Sequence, residues 1–166
     1  NLDNLEYSEP DTTGPLKILH APTNRQVKNT EAVLDAISQL ELDGQDIQFN
    51  LVEGIQHSEL TSLISKNDLI LDWLNPEFGI YGVFSIEAMA SGRTVICTLT
   101  DSLYKDYDIP IINSSPDELA SKIREICQNR EILLGKGKSG HQFVQQHHNP
   151  LETAKKVIKK YQSVLE

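Results

Sequence analysis

The sequence is poor in the residues that announce several familiar classes of protein. It has two cysteines in 166 residues, Cys97 and Cys127. Neither sits in a CxxC pair, so no zinc or dithiol redox motif is present. Both fall in apolar segments and read as the reduced, buried thiols of a cytoplasmic protein. Basic residues are few: 15 Lys and Arg stand against 24 Asp and Glu, a formal net charge of −9. That balance lacks the cationic field needed to bind nucleic acid or an anionic membrane broadly. It still allows a local pair of cations serving one pyrophosphate. No apolar run approaches the roughly 20 residues of a membrane span, and no signal-peptide pattern opens the chain. The sole methionine is Met89 and the first residue is Asn, so the chain is expected to be processed or excised from a longer one.

Several phosphate-binding and catalytic motifs are missing as well. The segment Ala21-Pro22-Thr23-Asn24-Arg25-Gln26-Val27-Lys28, which follows the first apolar run, contains no glycine. A dinucleotide-binding GxGxxG loop would lie there. There is no Walker loop, no GxSxG nucleophile elbow, and no cluster of acids where a receiver domain needs one. His147-His148 do not make a metal pair; a helix C-terminus or plain exposure accounts for them.

What the chain does contain is an alternation of short apolar runs with helical patterns. Residues 1–15 are polar and acidic, with Pro10, Gly14 and Pro15, and read as a linker or arm. Residues 16–166 read as one domain. Strands are expected at Leu16–Ala21, Ile47–Val52, Asp68–Trp73, Thr94–Thr98 and Ile109–Ile112. Between them lie amphipathic segments capped by Thr30, Ser58 and Ser115; the last has Pro116 in its first turn and Glu118 closing a capping box. A terminal helix opens at Asn149-Pro150, with Ala154, Val157, Ile158, Tyr161 and Leu165 as its apolar stripe. Strands apolar on both faces and separated by helices predict an α/β fold, a mostly parallel sheet flanked by helices. Ligands of such sheets sit outside the carboxyl ends of the strands. The unusual loops, at 22–29, 53–57, 73–82 and 98–104, all fall there.

One stretch stands out. Gly79-Ile80-Tyr81-Gly82 leads into a short apolar helix, Val83-Phe84-Ser85-Ile86-Glu87-Ala88-Met89-Ala90, and then into Thr94-Val95-Ile96-Cys97. The open N–H groups of a helix start carry partial positive charge and suit a phosphate. Glu87 lies among apolar neighbours and needs a partner, which a ribose diol would supply. Arg25 and Lys28, on a loop at the same end of the sheet, could complete a pyrophosphate clamp. Each of these also has a plain alternative: solvated basic side chains beside a helix, and a helical acid at the surface. Trp73 is as readily a core or lid residue as a site residue, and His20 reads as a packed histidine rather than a phosphate contact.

The segment Ile86-Glu87-Ala88-Met89-Ala90-x-Gly-x-x-Val-Ile resembles the donor-site signature of the group 1 (family four) glycosyltransferases. Ile18-Leu19-His20-Ala21-Pro22-Thr23-Asn24-Arg25, followed by Lys28, is similar to their first strand and donor-phosphate loop. Leu51-Val52-Glu53-Gly54 and Ser115-Pro116-Asp117-Glu118-Leu119 fit later units, so the resemblance spans residues 16–165. It implies a Rossmann-like domain, the C-terminal, donor-binding half of a GT-B fold, with the N-terminal acceptor domain lying outside this chain. It implies that Glu87 binds the ribose hydroxyls and that Lys28 and Arg25, with the N–H groups of Gly82, Val83 and Phe84, hold the donor pyrophosphate. It implies no cofactor and no metal, the donor being a nucleotide-diphosphate sugar, and a retaining transfer of a hexosyl group to a glycan or lipid-linked acceptor, as in polysaccharide biosynthesis. The isolated domain would then bind nucleotide without turning over.

The chain departs from that family in three places. The family's first glutamate, eight positions before Glu87, is Gly79 here. Either Glu77 reaches the sugar, or this branch works without that carboxylate and Gly79, Ile80 and Tyr81 shape the sugar pocket; the second arrangement is favoured. Arg25 and Lys28 are also closer together than usual, and Asn29 replaces a glycine. These departures keep other readings open: a non-catalytic module binding a sugar nucleotide or a protein, a GT-B sugar-nucleotide epimerase, or a flavodoxin-like structural domain.

Overall fold

A computed structural model describes residues 5–165. Five parallel strands form one sheet in the order β2-β1-β3-β4-β5. They are β1 (Leu16–His20), β2 (Ile47–Leu51), β3 (Leu69–Leu71), β4 (Thr94–Cys97) and β5 (Ile112–Asn113). The helices are α1 (Arg25–Lys28), α2 (Thr30–Leu42), α3 (His57–Ser65), α4 (Val83–Ala90), α5 (Asp101–Asp106), α6 (Leu119–Gln128), α7 (Glu131–His147) and α8 (Pro150–Leu165). The sheet is the expected mostly parallel one, and its strand order reverses between β1 and β3, where open α/β sheets form their crevice.

Alternation along the strands assigns the two faces. Ile18, Leu69, Leu71 and Ile96 point into one core with α2 and α6. Leu19, Ile70, Val95 and Cys97 point into the other with Ile64 of α3, Ala88 and Met89 of α4, and Phe143 and Val144 of α7. Both faces are covered, so the central strands carry no polar alternation.

Some boundaries differ from the sequence expectation. Ile109 and Ile111 are buried, yet β5 pairs with β4 only from Ile112, opposite Ile96. Pro110 has no N–H to give the ladder, which delays the strand. α2 is capped from Asn29 rather than Thr30, and α3 starts at His57 rather than after Ser58. The Ser115–Glu118 box forms as expected, with the Ser115 N–H donating to Glu118 Oε2 at 3.3 Å, and opens a 3-10 turn that runs into α6.

Residues 5–15 have no regular structure and run across the domain. The Ser8 N–H donates to Ser91 O (3.3 Å) and the Asp11 N–H to Asp68 Oδ1 (3.0 Å). Beneath them Arg93 is buried, with Nη2 donating to Ser8 Oγ. Residues 1–4 of the expected arm lie outside the described residues. On α8, Val157, Ile158 and Tyr161 are exposed, so this part of its stripe is not covered within the chain; the Leu165 side chain lies outside the described residues. No helix among the described residues is long and apolar enough to cross a membrane.

α7 crosses the start of β4 at very short range. The Thr94 hydroxyl donates to Leu133 O (3.1 Å), and a Cβ on Gly137 would lie 2.2 Å from Gly92 O. No flexible side chain is available to yield there, only backbone. Gly137→Ala is therefore expected to destabilise the fold by about 1–3 kcal/mol through overpacking, despite alanine's better helix propensity. Urea denaturation of the two proteins measures this; equal midpoints would refute the close approach.

Candidate functional site

The carboxyl ends of β1 and β3 carry three polar residues that the core cannot leave unpaired. His20 closes β1 and is 1 % exposed. Its Nδ1 lies 2.8 Å from Leu71 O and its Nε2 2.9 Å from Thr30 Oγ1. A carbonyl only accepts, so Nδ1 carries the proton and Nε2 accepts from the Thr30 hydroxyl. Burial pushes the imidazole below its ordinary range, against the pull of Leu71 O and Asp72. His20 is thus a neutral strut joining β1, β3 and α2.

Asp72 follows β3 and is 1 % exposed; Lys28 ends α1 and is 6 % exposed. The Lys28 ammonium donates to Asp72 Oδ1, and the hydroxyl of Ser85, in the first turn of α4, donates to Asp72 Oδ2. The Trp73 ring lies under the ammonium, 4.0 Å from nitrogen to centroid, a cation–π distance. The same indole explains Gly82, where a Cβ would fall 2.6 Å from Trp73 Nε1. Gly82 offers α4 no side-chain cap, so the N–H groups of Val83 and Phe84 have no partner inside the helix. Lys28, Trp73, Gly82 and the start of α4 therefore form one packed group.

Glu87 lies on the same helix and is 3 % exposed. Residues two apart on a helix do not share a face, so Ser85 reaches toward Asp72 while Glu87 turns to α3. There its Oε1 meets Nε2 of His57 at 2.7 Å, and His57 itself is largely exposed. Glu87 is not a surface acid; it is a buried carboxylate covered by an exposed imidazole.

Arg25 is placed differently. It makes a two-pronged ion pair with Glu53, at 2.6 Å from Nη2 to Oε2 and 3.0 Å from Nε to Oε1. Both side chains are well exposed at the end of β2, and the pairing raises the guanidinium and lowers the carboxyl. The structure thus gathers Lys28, Gly82, Val83 and Phe84, sets Glu87 on the other flank of α4, and holds Arg25 on Glu53.

The loop before α4 is ordered by its own contacts. Gly79 has φ +56°, and a Cβ there would lie 2.5 Å from Thr100 Cγ2. A side chain at this position is opposed both by backbone conformation and by Thr100. Glu77 lies in a turn whose N–H donates to Asn75 Oδ1 (3.0 Å). The Tyr81 hydroxyl donates to Nε2 of His148 at the end of α7 (3.0 Å); burial lowers that imidazole, which suits it as an acceptor. Phe78, Ile80 and Val83 present exposed apolar surface around the glycines. Among the described residues, no three His, Cys, Asp or Glu side chains converge as a metal site. A surface cavity of about 560 Å³ lies elsewhere, between the α5–β5 connection and α7.

Sequence reasoning missed Asp72, Ser85 and His57. Asp72 had a signal: an acid ending the apolar run Leu69-Ile70-Leu71 must find a cation if it is buried. Ser85 and His57 had none.

No family model matches the chain, and no curated protein matches it. Solved structures do. Sucrose-phosphate synthase from Thermosynechococcus elongatus superposes with a TM-score of 0.73 at 18% identity, over 99% of this chain and 51% of that one. TarM from S. aureus, in a complex with fondaparinux, alpha-GlcNAc-glycerol and UDP, gives 0.68 at 12%, over 93% and 37%. The C-terminal domain of LpcC, a glycosyl transferase group 1 family protein from Francisella tularensis, gives 0.62 at 16%, over 86% and 96%. The chain spans about half of the synthase and about a third of TarM, and nearly all of the excised LpcC domain. It has the fold of the C-terminal half of a GT-B glycosyltransferase.

The neutral His20 gives the site a testable pH signature. Burial holds its folded-state pKa below the ordinary histidine value of about 6.5, so below that pH the unfolded chain takes up the proton first. Stability from this residue is complete above about pH 6.5 and is lost as pH falls, at up to about 1.4 kcal/mol per unit. Denaturation midpoints between pH 7.5 and 5.5 should fall more steeply in the parent than in His20→Gln. Parallel slopes would count against the neutral strut.

Proposed function

We propose that this chain is the donor-binding half of a retaining glycosyltransferase, moving a hexosyl group from a nucleotide-diphosphate sugar to a glycan or lipid-linked acceptor. The observation that carries the reading is the uncapped first turn of α4 at the carboxyl edge of the sheet, with a buried lysine joined to it through Asp72 and Ser85. A helix start and a cation side by side suit a diphosphate. Glu87, buried one turn further along, offers acceptor oxygens to a ribose diol, which would take the place His57 now holds. Lys28 and the Val83 and Phe84 N–H groups hold phosphate. Arg25 joins them by leaving Glu53. Tyr81, fixed by His148, and Ile80 line the sugar side. The acceptor, and the residues that complete the reaction, belong to an N-terminal domain outside this chain, so the chain alone binds donor without turnover.

A second reading, a binding module without catalysis, is favoured by Gly79. The geometry around it rejects the side chain that the resembled family carries there. Product analysis with the longer protein and a panel of UDP- and GDP-sugars separates the two readings. A transferred sugar supports the enzyme, an altered free sugar nucleotide the epimerase, and bound but unchanged donor the module.

Calorimetric titration with UDP, GDP and their nucleosides tests the site itself. A charge-assisted pair of hydrogen bonds to ribose contributes about 1.5–3 kcal/mol, so Glu87→Ala should weaken diphosphate and nucleoside binding by roughly ten- to a hundredfold. Lys28→Ala should weaken the diphosphates far more than the nucleosides. Equal curves for Glu87→Ala and the parent would remove that carboxylate from the site, and an equal loss for both ligand classes in Lys28→Ala would remove the lysine from the phosphates.

A further inference from the structure

We infer that Asp72 is the positioning residue of this site: its buried carboxylate holds the Lys28 ammonium on the Trp73 face, at the opening turn of α4, where the donor phosphates dock. The inference rests on the donor-binding reading above. A lysine side chain is long and loses much rotamer freedom when it is ordered. Here that ordering is built in before any ligand arrives. Lys28 ends a one-turn helix, and the next residue, Asn29, is left-handed at φ 55° with its Nδ2 donating to Leu74 O (3.1 Å). This ties the lysine's backbone to the segment after β3. Asp72 is as firmly fixed: its N–H donates to Ile96 O (3.1 Å), and its second oxygen accepts from Ser85.

Three features separate this from an ordinary structural ion pair. The ammonium has three N–H donors; Asp72 accepts one and the Trp73 face covers one side, which leaves donor capacity for an anion. Ser85 connects the carboxylate to the turn whose open N–H groups would share that anion. His20, closing β1, is neutral, and burial pushes up the Cys97 thiol, 3.4 Å from Ser85 Oγ, so it stays protonated; neither adds a competing charge. Arg25 and Glu53 offer the contrast: both are exposed, and neither is anchored to α4.

The test uses the chain with UDP and uridine as probes, in the parent, Asp72→Asn, Lys28→Met and the double variant. Asparagine keeps the shape and loses the charge. Asp72→Asn is expected to weaken UDP by at least about tenfold, the scale of a charge-assisted hydrogen bond, and to leave uridine unchanged. Added to Lys28→Met, it should cost UDP nothing more, because the two residues act as one unit. In ligand-free protein, the ¹⁵N signal of a restrained Lys28 ammonium should be lost in Asp72→Asn. UDP affinity in Asp72→Asn equal to the parent's, or tighter, would overturn the inference, since the carboxylate would then be a bystander or a competitor. So would losses that add in the double variant. If Asp72→Asn does not fold, Ser85→Ala, which leaves the second carboxylate oxygen without its donor, should give a smaller loss confined to UDP, and an unchanged affinity there is equally fatal. A parent that binds no UDP would sink the donor reading instead, while the ammonium signal would still report whether Asp72 restrains Lys28.

Discussion

A lysine and an aspartate, both almost wholly out of water, face each other at the carboxyl edge of the sheet, and much of the local architecture follows from that pairing. Removing one member of such a pair leaves an uncompensated buried charge, at a cost of about 3–5 kcal/mol. The pair is reached from three elements at once. β3 delivers Asp72, α1 delivers Lys28, α4 supplies Ser85, and Trp73 packs between the ammonium and Gly82. Each connection fixes the next, so the start of α4 is set against the end of α1 by chemistry rather than by the general packing of helices on a sheet.

The charged side chains of the same edge already have partners. Lys28 has Asp72, Arg25 has Glu53, and Glu87 has His57. On the donor-binding reading proposed above, a nucleotide would meet partners that are already engaged, and its binding would be an exchange of contacts. The three pairs differ in how readily they exchange. The lysine's partner is buried and anchored, the arginine's is open to solvent, and the glutamate's is an exposed imidazole at a helix start. Of the three donors only Lys28 is buried; Arg25 and His57 are open to solvent.

Much of this was legible in the sequence. Strands apolar on both faces gave a parallel sheet, and Leu69-Ile70-Leu71 and Thr94-Val95-Ile96-Cys97 split between the two cores as alternation requires. The Gly79–Glu87 stretch located the candidate site, because few patterns put two glycines before an apolar helix that hides one acid. What could not be read were pairings across long sequence separation. Lys28 and Asp72 are 44 residues apart, and His57 and Glu87 are 30 apart; no local rule joins them. Boundaries slipped where one residue changed the hydrogen-bond ledger, as Pro110 did for β5. Arg25 and Lys28 are close in sequence, yet Arg25 pairs with Glu53, 28 residues away, a pairing that sequence proximity does not reveal.

Gly79 carries a constraint on how this surface can change over time. Its backbone conformation and the methyl group of Thr100 both oppose a side chain, and Gly79 O also accepts the Thr100 N–H at 3.0 Å. Positions 79 and 100 are therefore an epistatic pair. An acidic residue at 79 would have to adopt a left-handed backbone, as Asp108 does at φ 45°, and would also need room from Thr100. A smaller residue at position 100 would relieve the second obstacle and leave the first, so the two positions constrain each other unequally.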